Sequence, residues 1–428
     1  MRKITTNFDC GRVFLYLFSF LLLVQFQLAL ILSTLDISIN AIKLLFALKQ
    51  VVVIVFFPIA AIYLLLSEKI HSVDKWAILF GCAVVTSVFL SNADQKAVIY
   101  GVKLYLNPVL LYAIGRVFRS GHTRRDVNFV MILFSLAIII FEMLFYFLGE
   151  KTLSDLNIEK IYAARGDSVE KGYNLIGSCY FHNKEGVVMR RAFGPFFDPL
   201  TFAFFSVPIL FWFRYKRRSL FESFLYYSVI IIVLLSLTRA IIGACIIGYM
   251  FTGMKKGRYF ARTKKLAFCI LIGFIVIGVF IKELLSVVDP STWGHLSAYY
   301  NLVGNIINHP FGLGYFRNAE TKIDIGFHST ESIYLAMALE NGVPFLLIFL
   351  IFAYKLHKAL IINGSGLVQF TAHSSLLVYG IASLTTEHWF AISSSSMFWI
   401  LAGYAVADLE KSRHQNEIHD ASMQFKDS

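Results

Sequence analysis

Apolar runs about as long as the hydrocarbon core of a bilayer recur along nearly the whole chain, and they constrain the fold more than any motif does. A transmembrane helix needs about 20 mostly apolar residues, and about twelve runs approach that length. They cover 12–33, 41–66, 75–91, 97–116, 128–149, 195–213, 220–237, 239–253, 266–285, 331–354, 367–386 and 389–407. Inside a bilayer every backbone N–H and C=O must be satisfied within the protein, so such runs form helices. The expected fold is all-α, a polytopic integral membrane helix bundle forming one membrane domain over residues 1–428.

Charge sets the expected orientation. Only 15% of residues are charged, yet the net charge is +12. In a soluble protein that excess would suggest nucleic acid. Here the basic residues sit mostly in short loops between apolar runs, as the positive-inside rule requires of cytoplasmic loops, so no nucleic-acid partner is expected. With the N-terminus inside, the cytoplasmic loops carry Lys69 and Lys75; Arg116, Arg119, Arg124 and Arg125; Arg214, Lys216, Arg217 and Arg218; Lys255, Lys256, Arg258, Arg262, Lys264 and Lys265; and Lys355 with Lys358. Both termini are then cytoplasmic, and residues 408–428 form a polar, frayed cytoplasmic tail. The first apolar run is too long for a signal-peptide core and no small-x-small cleavage site follows, so it reads as an uncleaved span. The cysteines Cys10, Cys82, Cys179, Cys245 and Cys269 form no C-x-x-C and no cluster with His, so neither a disulfide framework nor a thiolate metal site is expected.

Two long segments face outward in this frame, 150–194 and 286–330. Loops of that length are uncommon unless they act in function. There is no G-x-x-x-x-G-K-[ST], no H-E-x-x-H and no D-x-D, and the one D-x-E, Asp408 with Glu410, lies in the tail. A nucleotide-sugar donor held by a metal is unsupported, and no cofactor is expected. What the outer segments do hold is arginine, whose rigid fork of donors matches phosphate oxygens. Arg190 and Arg191 precede a helix expected to start near Pro195, and Arg239 sits in a short turn between two apolar runs. An ionisable residue at that depth needs a counter-charge, which Asp198 or a lipid phosphate would supply. Glu142, Lys43, Lys49 and Lys103 are unusual within their spans and pair inside the bundle or line a groove.

The second outer segment contains HPFGLGYF, in which His309 is followed by Gly312 and Gly314, glycines that permit tight turns or close approach to a ligand. Further on, His328 and Glu331 lie three apart where a helix is expected to start, on one face and positioned to take a proton from a hydroxyl. The plain alternative is that Glu331 only favours the helix N-terminus. Arg317 is a further cation, and Trp293, Tyr299, Tyr300 and Tyr315 serve either as sugar platforms or in the interfacial aromatic belt.

Three of these stretches carry a family resemblance. R-x-x-G-x-x-x-x-P falls at Arg191, Gly194 and Pro199; S-x-T-R-A-x-x-G runs from Ser236 to Gly243; and H-P-x-G-x-G is followed by S-x-Y-L-x-x-x-L-E-x-G from Ser332 to Gly342. In that order, over residues 190 to 350, the chain resembles the O-antigen polymerase and O-antigen ligase superfamily of bacterial envelope glycosyltransferases. The resemblance implies an inner-membrane enzyme of lipopolysaccharide or related polysaccharide biosynthesis, with an undecaprenyl-diphosphate-linked oligosaccharide as donor. Arg191 and Arg239 would stabilise the diphosphate and Glu331 or His328 would act as base. Arg190, Arg317, Asp198, His309, Gly312, Gly314 and Tyr299 would contact substrate. A chain-length regulator and a flippase are the implied partners besides membrane lipid. Ligases usually carry His-Asn just before the x-Y-L of the last motif, where this chain has Glu331 and Ser332, which favours polymerase over ligase. A lipid-linked oligosaccharide transporter is the rival from another class, and it would place its polar residues nearer mid-membrane.

Overall fold

The computed structural model describes residues 10–35, 37–66, 70–91, 95–117, 123–147, 155–165, 180–182, 188–216, 219–251, 302–315, 332–363, 366–386 and 388–424. Five helices open the chain: α1 (Cys10–Thr34), α2 (Ile39–Leu66), α3 (Ser72–Leu90), α4 (Gln95–Val117) and α5 (Thr123–Phe145). A short α6 (Ile158–Arg165) follows, then strands β1 (Tyr180–His182) and β2 (Val188–Arg190) in antiparallel register, Tyr180 opposite Arg190. A 3-10 turn at Gly194–Phe196 leads into α7 (Pro199–Lys216), α8 (Leu220–Leu235) and α9 (Arg239–Phe251). The last group is α10 (Ile333–Asn341), α11 (Val343–Asn363), α12 (Leu367–Ala382), a 3-10 turn at His388–Phe390, and α13 (Ile392–Gln424). Among the described residues, seven helices are long and apolar enough to cross a membrane, and Leu220–Leu235, Arg239–Phe251 and Leu367–Ala382 are shorter apolar helices. The chain is a helical multi-pass membrane protein.

The sequence pattern and the structure differ in four places. The helix expected from Pro195 starts at Pro199, because Gly194 and Phe197 take left-handed backbone and interpose a turn. The run 331–354 is not one span: Gly342, at φ +91°, breaks it into α10 and α11. The supposed tail is helical as far as Gln424, since α13 continues without interruption past Asp408. The segment 150–194, expected to face outward, holds α6 and the hairpin rather than loop alone. The expected span 266–285 lies outside the described residues, as do most of 286–330.

At the centre stands α7. From Thr201 to Phe213 every residue is buried, an all-round apolar helix of the kind only a core can hold. Around it α12 and α13 pack on one side and α8 on another. The closest pairing is α4 with α13, where glycines remove the side chains that would hold the backbones apart: a methyl on Gly115 would lie 2.3 Å from the Ile400 carbonyl oxygen, and one on Gly403 2.3 Å from that of Tyr112. With no water to expel between helices in lipid, such backbone contact and dispersion hold the pair. At one end, here called the lower, Tyr112 donates to Asp74 (2.6 Å), Arg116 lies 3.3 Å from Asp74, and Arg116 also pairs with Glu410, tying α3, α4 and α13 together. Arg12 and Tyr16 similarly join Asp126 across α1 and α5.

Candidate functional site

At the opposite, upper end, the motif residues converge. Glu142, in the last turn of α5, accepts from the backbone N–H of Phe193 (2.9 Å) and of Gly194, so a carboxylate anchored in α5 holds the turn before α7. Tyr162 on α6 donates its hydroxyl to the Phe197 carbonyl, fixing the other side of that turn. Asp198 then caps α7, accepting from Leu200 N–H (3.1 Å) and Thr201 N–H (3.2 Å), a position where both capping geometry and the helix dipole favour a carboxylate.

The two motif arginines next to this turn differ. Arg191 is 8% exposed. Its Nε donates to the Ser236 carbonyl at 2.9 Å and its Nη2 to Thr238 Oγ1 at 3.3 Å. With Ala192 N–H on the Leu235 carbonyl (2.9 Å), it staples the strand end to the turn joining α8 and α9. That turn includes Leu237 at φ +52°, a conformation that a branched side chain adopts only when its surroundings hold it there. Arg239, the first residue of α9, is exposed at the same end. Arg190 lies with its guanidinium over the rings of Phe193 (4.8 Å) and Tyr146 (5.7 Å).

A residue the sequence reading passed over completes the group. His388 Nε2 is 3.5 Å from Asp198 Oδ2, an ion-pair rather than a hydrogen-bond distance, and its ring lies tilted beside that of Phe204. Its Nδ1 is buried and makes no hydrogen bond among the described residues. The segment carrying it links the motifs: Ile333 N–H donates to the Thr386 carbonyl, Ser332 Oγ to Ser383, and Trp389 packs its ring against Tyr334. The signal was present, since His388 is an ionisable residue between two apolar runs at the same end as Arg239. In the sequence it read only as the short turn before the last span.

The third motif resolves into a backbone clasp. Residues 309–315 lie against the end of α10: Leu313 and Gly314 N–H donate to the Leu339 and Glu340 carbonyls (2.8 Å each), and Val343 N–H to Pro310 (2.8 Å). Gly312 (φ +88°) and Gly342 (φ +91°) face each other so closely that a methyl on either would lie 2.6 Å from the other segment's backbone. The close approach that these glycines permit is made here between two segments of the chain itself. Gly314, also at positive φ, belongs to the same clasp, and His309 is exposed at its start. The acidic residue of the motif, Glu340, is buried and accepts from the Tyr105 hydroxyl at 2.6 Å, while Tyr315 is wedged between Ser87, Ser91 and Gly101. Tyr315 is therefore a core anchor, not a platform for sugar. Lys49, unusual in its span, is buried and donates to Ser393 Oγ at 2.7 Å beneath the rings of Phe26 and Phe46.

Of the residues singled out from the sequence, Arg190, Arg191, Asp198 and Arg239 thus gather at one end of the bundle, with His388 among them. Glu331, His328, Arg317 and Tyr299 lie outside the described residues. Chemically the group offers a cation at a helix start and a carboxylate-held imidazole. Among the described residues no three His, Cys, Asp or Glu come together as metal ligands. The chain matches no protein-family model and no curated protein.

Proposed function

We propose that the chain is a surface-polysaccharide polymerase of the bacterial inner membrane. It transfers a growing glycan from undecaprenyl diphosphate onto the non-reducing sugar of a lipid-linked repeat unit. The observation that carries this reading is the meeting of Arg239, the Arg191-held turn and the Asp198–His388 pair at one end of a helical bundle whose opposite end carries Lys75, Arg116, Arg124, Arg125, Arg214 and Lys216. Under the positive-inside rule the upper end then faces the periplasm and both termini the cytoplasm.

In this reading the acceptor hydroxyl attacks the anomeric carbon of the donor. The bond from that carbon to the diphosphate oxygen breaks, and the diphosphate leaves with the electron pair. Arg239, at a helix start whose free N–H groups also favour an anion, stabilises the charge that develops there. The hydroxyl proton goes to a base: His388, kept in orientation by Asp198, joins Glu331 and His328 as a candidate. Arg191 acts at one remove, holding the turn that presents Arg239.

The test is a glycan ladder from cells lacking the gene, beside complemented cells. Collapse to a core bearing a single repeat unit supports the polymerase. Polymer accumulating on the lipid carrier above a bare core would make the chain the ligase. A ladder unchanged for every surface polysaccharide would overturn both and favour transport.

A further inference from the structure

Residues 309–315 lie across the upper ends of α3, α4, α10 and α11, and two spanning helices fix their depth. α11 has a candidate span of 19 residues, Val343–Ile361, about 28 Å of helix and close to a ~30 Å hydrocarbon core. Its first residue donates its N–H to the Pro310 carbonyl at 2.8 Å, so Pro310 stands at the edge of the hydrocarbon. The candidate span of α3 ends at Phe89. Two residues later Ser91 Oγ accepts from the Tyr315 N–H at 3.2 Å, which puts the other end of the segment at the same level. The clasp on α10 and the buried Tyr315 side chain hold it there.

What the segment turns outward is apolar. A short helix over 302–308 leads into it. Leu302 is buried against the protein, whereas Val303 is 48%, Ile307 71% and Phe311 81% exposed. Val303 and Ile307 are four apart and so share one side of that helix. Phe311 follows after four more residues, in the turn closed by the Gly312 N–H on the His309 carbonyl (2.9 Å). Asn305, Asn308 and His309 are interleaved with them, and no Asp, Glu, Lys or Arg occurs from 302 to 315. Phe89 at the end of α3 and Leu347, one turn into α11, are also exposed, at and just below this level. Those two belong to the outer surface of spanning helices, and the apolar side of the segment continues that surface at the boundary.

We propose that Val303, Ile307 and Phe311 are buried in the lipid of the upper leaflet, so that residues 302–311 form an interfacial element lying in the membrane surface beside α3 and α11. Such elements dip an apolar side into the boundary between headgroups and acyl chains and keep their polar side in water. Each apolar side chain gains by leaving water. Lipid is the occupant, not a second protein, because this face sits at the edge of the hydrocarbon that surrounds the neighbouring spans in any case. With no Lys or Arg in the segment, the anchor rests on apolar burial and not on attraction to anionic headgroups. The assignment is independent of the polymerase reading and of which side of the membrane the upper end faces.

The experiment places a nitroxide label at Val303→Cys, Ile307→Cys, Phe311→Cys or Asn308→Cys in a cysteine-free full-length chain. All four sites are exposed, so the label displaces no packed side chain. The chain is reconstituted in vesicles of phosphatidylcholine, and separately in vesicles of phosphatidylethanolamine with phosphatidylglycerol. Collisions are measured with oxygen, which concentrates in lipid, and with an uncharged nickel chelate, which stays in water. Leu347→Cys, exposed below the boundary on α11, supplies the value for hydrocarbon. The oxygen-to-nickel ratio at Val303, Ile307 and Phe311 is expected to be several-fold above that at Asn308 and below that at Leu347, in both kinds of vesicle. A ratio at Ile307 and Phe311 as low as at Asn308 puts the face in water and overturns the proposal. Low collision with both reagents means that a second copy of the chain covers the face, which overturns it as well. An oxygen preference that appears only with phosphatidylglycerol assigns the contact to headgroup charge and removes the apolar anchor.

Discussion

Arg191 and Arg239 both lie in motif stretches, and their surroundings divide the work between them. Arg191 is buried on a carbonyl and a hydroxyl, and hydrogen bonds from a charged donor contribute about 1.5–3 kcal/mol each. Arg191→Ala is therefore expected to lower unfolding stability in detergent by roughly 3 kcal/mol, with polymer lost as a consequence of the loosened turn. Arg239→Ala should abolish polymer while the protein stays in the membrane. A normal chain-length distribution in that variant would remove Arg239 from the diphosphate site. His388→Gln tests the third group: polymerisation should fall by about 10²–10⁴-fold with expression preserved, the range of a lost general base, and an unaffected rate would return that role to Glu331 or His328. The cations of this site were legible in the sequence because a charge beside a long apolar run stands out. Their roles were not, since whether a guanidinium meets protein or substrate depends on residues 45 to 47 positions away.

Elements show the same division. Composition and run length locate α1 to α5 within a few residues, because a span must satisfy its backbone by itself and its apolar surface must cover a bilayer. The break between α10 and α11 was hidden inside one apolar run. It exists because residues 309–315 dock there, and the two glycines let the two backbones meet. Gly342→Ala puts a methyl where φ is +91° and the Phe311 backbone is 2.6 Å away. It should destabilise the chain by more than ~1 kcal/mol, because the new residue cannot adopt the native backbone without strain. Chemical denaturation of the purified variant would check this, and an unchanged midpoint would mean the clasp is looser than its geometry implies.

At the scale of the molecule, one end is tied by ion pairs and the other by backbone capping. Asp74, Arg116 and Glu410 lock three helices at the lower end, whereas Glu142 and Asp198 spend their carboxylates on N–H groups at the upper. The reading under test assigns the upper end to the periplasm. That orientation is open to a direct test. In a cysteine-free background, Leu384→Cys at the upper end should react with an impermeant maleimide applied to intact spheroplasts, and Lys358→Cys should react only after lysis. The reverse pattern would invert the topology and with it the periplasmic reaction.

Hydropathy and charge along the chain are enough to define a helical membrane bundle, roughly where its helices run, and which arginines stand at a boundary. Those facts depend on local quantities: hydropathy over about 20 residues, and charge next to it. Tertiary packing makes Arg191 a staple, brings Gly312 and Gly342 together, turns His388 toward Asp198, and draws α8 and α9 onto different partner helices. Each of these is a contact between residues far apart in the chain, and such contacts are set by how helices pack on third partners rather than by the pattern within any one of them.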